Sequence, residues 1–192
     1  EKDRELIPYL EEKFAVHIKS KKFKLVEADI LEYALPKNIQ PYKLIANIPY
    51  YITGAIIRKF LDEGKQPTHI TLLVQKEVAE RMIARDKKES LLSLAVKAYG
   101  TPKIIGVVPR GAFAPAPSVD SAIIAIETIS RKNFKNKKHE TNFFELIHKG
   151  FAHKRKTLWH NLDTMSTEER ESFFEKNSLD KKVRAEDIAI EK

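Results

Sequence analysis

Four consecutive residues, Asn47-Ile48-Pro49-Tyr50, carry the most specific chemistry in this chain. They follow an apolar run, Leu44-Ile45-Ala46, that reads as the end of a buried strand. At a strand's C-terminal edge, where open α/β sheets place their ligands, a side-chain amide, a proline carbonyl and an aromatic ring would project together. That set suits a planar base with an exocyclic amine. The Asn oxygen and a backbone carbonyl accept hydrogen bonds from an NH2 group, and the Tyr ring stacks on the heterocycle. Taken alone, the four residues fit equally well a strand followed by a Pro-containing turn with Asn as its local cap.

Positioning these residues requires a layered scaffold, and the rest of the chain supplies its pattern. Leu6, Ile7, Leu10 and Phe14 form a helical stripe within residues 4–14. Residues 23–29 alternate as a strand and end on Asp29. After the Tyr50 turn, Thr53 to Leu61 reads as a helix closed by Gly64. A β-branched strand at residues 68–74 and an amphipathic helix through Glu77, Val78 and Met82 follow, then a further helix from Ser90 to Tyr99. Residues 103–108 and 121–126 are apolar enough to be buried strands. The connection between them, Phe113 to Pro117, is too rich in proline for a strand interior and is expected to be a stiff loop at the sheet edge. Alternating strands and helices indicate an α/β layered sheet that ends in an antiparallel closing pair. Beyond Arg131 the spacing becomes helical, at Phe143-Phe144-Leu146-Ile147, Leu158 to Leu162 and Phe173-Phe174. Ser166 followed by Glu168 and Glu169 marks a helix start, and a last helix is expected from Arg184 to Ile190.

Composition narrows the function classes. The chain has 192 residues, 42% of them hydrophobic, enough for one sizeable core with a small appended domain. Cysteine is absent, which excludes disulfides and thiolate metal sites and suits a reducing cytoplasm. No apolar stretch approaches the roughly 20 residues of a membrane span. The six histidines show no metal spacing, and no Ser-His-acid arrangement stands out. The formal charge of +8 is concentrated: residues 131–160 hold nine Lys or Arg against two acids. Such concentration is the footprint expected of phosphate-backbone binding, although Lys132 to Lys138 also fits a solvated linker.

Asn47-Ile48-Pro49-Tyr50 followed by Tyr51-Ile52-Thr53-Gly54 resembles the target-base motif of the ribosomal RNA adenine N6-dimethyltransferases of the KsgA type. The segments Gln75 to Arg81, Phe113 to Ser121, Lys154 to Leu158 and Arg184 to Ile188 resemble further motifs of that family, in its order and along the whole chain. The resemblance implies an α/β fold: a class I (Rossmann-like) methyltransferase sheet lacking its first strands, with a small C-terminal helical domain. The implied boundaries are residues 1–130 for the methyltransferase domain, 131–139 for a basic linker and 140–192 for a helical RNA-binding domain. It also places the first strand and the glycine-rich loop ahead of Glu1, so that weak or no binding of S-adenosylmethionine is expected of the chain alone.

By the same resemblance S-adenosylmethionine is the methyl donor, without a metal, held by Glu1 on its ribose, by Asp29 and the Ile30 amide on its adenine, and by Asn47. Asp29 also fits a local turn cap. Asn47, Pro49 and Tyr50 are the implied catalytic set, with Phe113 on the face of the target adenine opposite Tyr50; a Phe buried beneath the loop is the other reading. Lys154, Arg155 and Lys156 are the implied RNA-phosphate grip, or else a basic helix end complementing its dipole. The small Thr53-Gly54 pair is expected to leave room for a methylated amine. The implied reaction is dimethylation of two adjacent adenosines in small-subunit ribosomal RNA, by a cytoplasmic monomer acting on a pre-ribosomal particle and not on a membrane. The alternatives are the large-subunit enzyme class of macrolide resistance and a non-catalytic binder of ribosomal RNA.

Overall fold

The computed structural model describes residues 1–189 and divides the chain into two compact units, Glu1–Gln40 and Pro41–Lys192. In the first, helices α1 (Leu6–Lys13) and α2 (Ala15–Lys19) meet at Phe14, whose ring lies 5.0 Å from that of Phe23. The alternating stretch at residues 23–29 forms no strand. Its ladder-like backbone bonds go to Glu1, from Glu1 N–H to the Val26 carbonyl (3.0 Å) and from Ala28 N–H to the Glu1 carbonyl (2.9 Å), while Phe23 N–H turns back to the His17 carbonyl (3.2 Å). Two hydrogen bonds to one residue do not make a ladder, and alternation without a neighbouring strand leaves the segment irregular.

The second unit is built on a four-stranded sheet in the order β1-β2-β4-β3, with β1 at Lys43–Asn47, β2 at His69–Gln75, β3 at Thr101–Val108 and β4 at Ser121–Glu127. Strands β1 and β2 are parallel, joined through α3 (Thr53–Leu61), whereas β4 runs antiparallel to both β2 and β3. Leu44, Ile70, Leu72, Val74, Ile124 and Ile126 share one face by register. All but Leu44 are fully buried. Helices α4 (Lys76–Met82) and α5 (Leu91–Lys97) pack against the sheet, and α3 against α5, adding Ile56, Phe60, Met82 and Val96 to the core.

Of the two apolar strands that flank the Phe113 connection, β4 is the buried one. Strand β1 is an edge with Ile45 77% exposed, and β3, at the opposite edge, turns Ile105 and Val107 outward. For β3, strand position rather than hydropathy decides this: it has one neighbour, and its alternate residues point away from the helices. Gly64 adopts φ +67° just past α3, the left-handed stop expected there.

The C-terminal part is helical: α6 (Lys137–Gly150), α7 (Leu158–Asn161) and α8 (Thr167–Lys176). Helix α6 starts at Lys137 because the Asn136 side chain accepts from His139 N–H. The Ser166–Glu169 capping box opens α8 as its sequence indicates. Leu158, Leu162, Phe174 and Ala185 form a core of their own, with Trp159 and Phe173 packed on it. The expected final helix is a single 3-10 turn, Ala185–Asp187, followed by Ile188 in a β conformation; Ile190 lies outside the described residues. That turn is held by tertiary bonds, Leu158 N–H to Val183 carbonyl and Glu89 N–H to Glu186 carbonyl, which fix the chain in a path no continuous helix follows.

Candidate active site

The register of the sheet brings four strand ends to one edge. Asn47 ends β1, Gln75 ends β2, Ser121 opens β4 opposite Gln75, and Val108 of β3 pairs with Ser121 on the other side. Two connections leave this edge: the turn from Ile48 to Ile52, and residues 109–120 with Phe113. Ile48 is buried and anchors the turn, so that Asn47 and Pro49 are exposed on either side of it. The Asn47 amide makes no hydrogen bond among the described residues and is not turned into the core. The Pro49 carbonyl accepts from Ile52 N–H at 3.1 Å, which occupies one of its two lone pairs. The Tyr50 carbonyl accepts from the Thr53 hydroxyl at 3.0 Å.

Tyr50 is half-buried, and its phenol oxygen lies 2.7 Å from the Ser121 Oγ across 71 residues of sequence. Phe113, also half-buried, follows the 3-10 turn Arg110–Ala112. Asp120 pins that connection at its base, its carboxylate accepting from Arg110 N–H (3.0 Å) and its carbonyl from Lys76 N–H (3.0 Å). Asn47, Tyr50 and Phe113 thus lie at one sheet edge, and neither the Tyr50 nor the Phe113 ring stacks on another ring among the described residues. Thr53 is buried with its hydroxyl committed to the turn, and Gly54 lines a groove with Leu91 and Phe144.

Glu1, Asp29 and Ile30 belong to the first unit. The pairing of Glu1 with Val26 and Ala28 sets it beside Asp29, and Lys2 Nζ reaches the Asp29 carboxylate at 3.3 Å. One Glu1 carboxylate oxygen accepts from both Asp3 and Lys2 N–H groups, and the Asp3 bond leads the causes that hold its carboxyl below the usual range. Asp29 Oδ1 accepts from Leu31 N–H at 2.8 Å, the local turn that its sequence also allowed. Ile30 is partly exposed.

Lys154, Arg155 and Lys156 sit in the turn between α6 and α7, all exposed. A groove of about 870 Å³ is lined by Lys154 and Lys156 together with Arg81, Arg85, Lys88 and Arg184. Three of the motif segments therefore meet there. The cations differ in one respect. Arg81, Arg85, Lys88 and Arg184 are each paired with a glutamate, while Lys154, Arg155 and Lys156 form no ion pair among the described residues. Unpaired cations have the least to lose by meeting phosphate.

Ser121 was legible as a motif member but not as Tyr50's partner. Arg131 and Glu140 were missed altogether. Glu140 is 2% exposed and accepts from the Tyr99 hydroxyl (2.5 Å), Lys137 Nζ (3.0 Å) and Arg131 Nε (3.2 Å). Arg131 also donates to the Leu61, Asp62 and Gly64 carbonyls at the end of α3. The available signal was an acid standing in the Phe143-Phe144-Ile147 stripe of a helix.

An open sheet with its ligand-type loops at one strand-end edge is the class I methyltransferase arrangement. The solved structure of the 23S rRNA methyltransferase ErmE shares the fold, with a TM-score of 0.77 over 98% of this chain and 75% of that one at 23% identity. The family model for ribosomal RNA adenine dimethylase matches residues 1–192, and the chain belongs to that family. A relative from Dehalococcoides mccartyi, named ribosomal RNA small subunit methyltransferase A, is 43% identical over 162 residues, 82% of this chain and 54% of its own length. One of the same name from Fusobacterium nucleatum is 37% identical over 99% of this chain and 72% of its own. The chain thus spans about half the length of the first of these relatives.

Proposed function

We propose that this chain carries the target-base site and RNA-binding surface of an S-adenosylmethionine-dependent dimethyltransferase acting on N6 of two adjacent adenosines in small-subunit ribosomal RNA. The observation that carries this reading is the placement of Asn47, Tyr50 and the Phe113 loop at one sheet edge in a chain of the adenine dimethylase family. The shared small-subunit name of the relatives favours that substrate over large-subunit RNA. The enzyme works as a cytoplasmic monomer on a pre-ribosomal particle; among the described residues no helix is long and apolar enough to cross a membrane. Domain boundaries near residues 130 and 140 divide sheet from helices in this reading.

The residues present fit the methyl donor. Two carboxylates, Glu1 and Asp29, lie together in the first unit, suited to a ribose diol and an exocyclic amine, and the Ile30 N–H bonds to no described residue. When bound, S-adenosylmethionine supplies an electrophilic sulfonium methyl. Asn47 Oδ1 and the Ile48 or Pro49 carbonyl accept the two N6–H groups, which draws the amine toward a pyramidal geometry and aims its lone pair. The Tyr50 ring supports one face of the adenine and Phe113 the other, worth about 1–3 kcal/mol per stacked base. The amine becomes acidic as the C–N bond forms, and Asn47 is open to solvent, so the proton leaves to water. Positioning and preorganised acceptors carry the rate. Lys154, Arg155 and Lys156 hold backbone phosphates.

The test is transfer of labelled methyl groups to unmethylated small subunits by the full gene product, with large-subunit RNA as the competitor. Label at N6 of adjacent adenosines in the small subunit, abolished by Asn47→Ala, is the expected result. Label only in large-subunit RNA, or RNA binding without transfer, overturns it.

A further inference from the structure

The geometry points to Ser121 as a positioning residue for the target base, acting through the Tyr50 ring. The assignment rests on the reading of Tyr50 as a stacking platform. A ring that stacks on a flipped base must be held still before the base arrives, and a Tyr at a surface turn is held by its backbone at one end only. Here the other end is held too, with the phenol oxygen 2.7 Å from Ser121 Oγ. Ser121 is a firm anchor. It is fully buried, at the first position of the central strand β4, paired with Gln75 on one side and Val108 on the other. Tyr50 can therefore rotate about the axis from Cβ to its oxygen but cannot swing sideways, and lateral position decides how far ring and base overlap.

The same bond joins the two motifs. Ser121 follows Asp120, whose carboxylate and carbonyl fix the base of the Phe113 connection. The turn that presents Tyr50 and the loop that presents Phe113 are thereby referred to one strand end. A purely structural role for the bond, satisfying a buried hydroxyl, would predict lost stability and nothing else.

A double-mutant cycle separates the two. Ser121→Ala, Tyr50→Phe and the double variant of the full gene product are compared for kcat, for KM toward S-adenosylmethionine, for thermal midpoint, and for quenching of 2-aminopurine placed at the target adenosine of a small-subunit RNA. Each single change is expected to lower kcat roughly 3- to 10-fold, the factor of one hydrogen bond, with the double variant no lower than either. KM for the methyl donor stays at the wild-type value, and 2-aminopurine quenching weakens in all three. Tyr50→Phe is isosteric, so the cycle stays readable even where Ser121→Ala unfolds. Wild-type kcat and quenching in Ser121→Ala, or effects that multiply in the double variant, overturn the assignment while leaving the proposed function intact. A wild-type protein that neither transfers methyl nor quenches sinks both.

Discussion

Replacing Glu140 by alanine tests the physical account of how the helical segment is attached to the sheet. Glu140 lies in the first turns of α6 and receives the Tyr99 hydroxyl from the end of α5 and Arg131, whose guanidinium also covers the carbonyls ending α3. The carboxylate thus joins three segments that the chain order keeps apart. The bond from buried Tyr99 contributes about 1.5 kcal/mol, that from Arg131, whose side chain is 36% exposed, about 1 kcal/mol, and Lys137, 69% exposed, adds at most a few tenths. Glu140→Ala is expected to cost about 3 kcal/mol, with the Tyr99 hydroxyl losing its short bond, and to lower the unfolding midpoint by roughly 6–12 °C in a chain of this size. Glu140→Gln keeps the shape and an acceptor for Tyr99, so about 1 kcal/mol is expected.

The sign of the pH dependence follows from the shift. Burial by itself would raise the Glu140 carboxyl, but hydrogen bonds from Tyr99, Lys137 and Arg131 outweigh it and hold the group below its ordinary value. A depressed carboxyl stabilises the fold fully above its unfolded pKa of about 4.3, and that contribution is lost as pH falls through the lower folded value. Urea unfolding of wild type and Glu140→Gln between pH 7 and pH 3 reads this directly, and the gap should close on acidification. A Glu140→Ala variant within 0.5 kcal/mol of wild type at pH 7, or a gap that widens as pH falls, refutes the reasoning.

Three further outcomes are expected. Gly100→Ala places a Cβ 2.8 Å from both the Glu127 carbonyl oxygen and Ile126 Cγ2, backbone and core atoms that cannot give way, so a loss of about 2–3 kcal/mol is expected in the urea midpoint. Asn161→Ala removes side-chain bonds to the Gly150 carbonyl (2.6 Å) and the His153 carbonyl (3.2 Å); about 2 kcal/mol is lost, and amide exchange speeds up across residues 151–157, ahead of the rest of the chain. Replacing Lys154 and Lys156 together by alanine should lower the slope of log affinity for RNA against log salt by about 2, weakening binding alike for different RNA sequences.

Much of this protein was legible before any tertiary structure. Periodicity marks α3, α5, α6 and β2 because their apolar residues recur at the spacing of the element they form; Gly64 marks where α3 stops and Ser90 where α5 starts. The Asn47 to Tyr50 turn was equally plain, since a strand end followed by a rigid Pro is a local fact. The misreadings share a cause. Residues 23–29 alternate as a strand does, yet a strand exists only where another offers a ladder. β3 is apolar enough for the interior, yet strand order placed it at an edge.

What sequence determined alone, then, was the inventory: which segments favour helix or strand, which residues could receive a base amine, and where positive charge collects. Tertiary structure alone decided which of them meet. Ser121 reaches Tyr50 across 71 residues, and Glu140 is enclosed by Tyr99, Arg131 and Lys137. Periodicity reports the energy of a segment against its own neighbours, whereas a hydrogen bond between distant residues depends on strand order and register, which no single stretch of chain encodes.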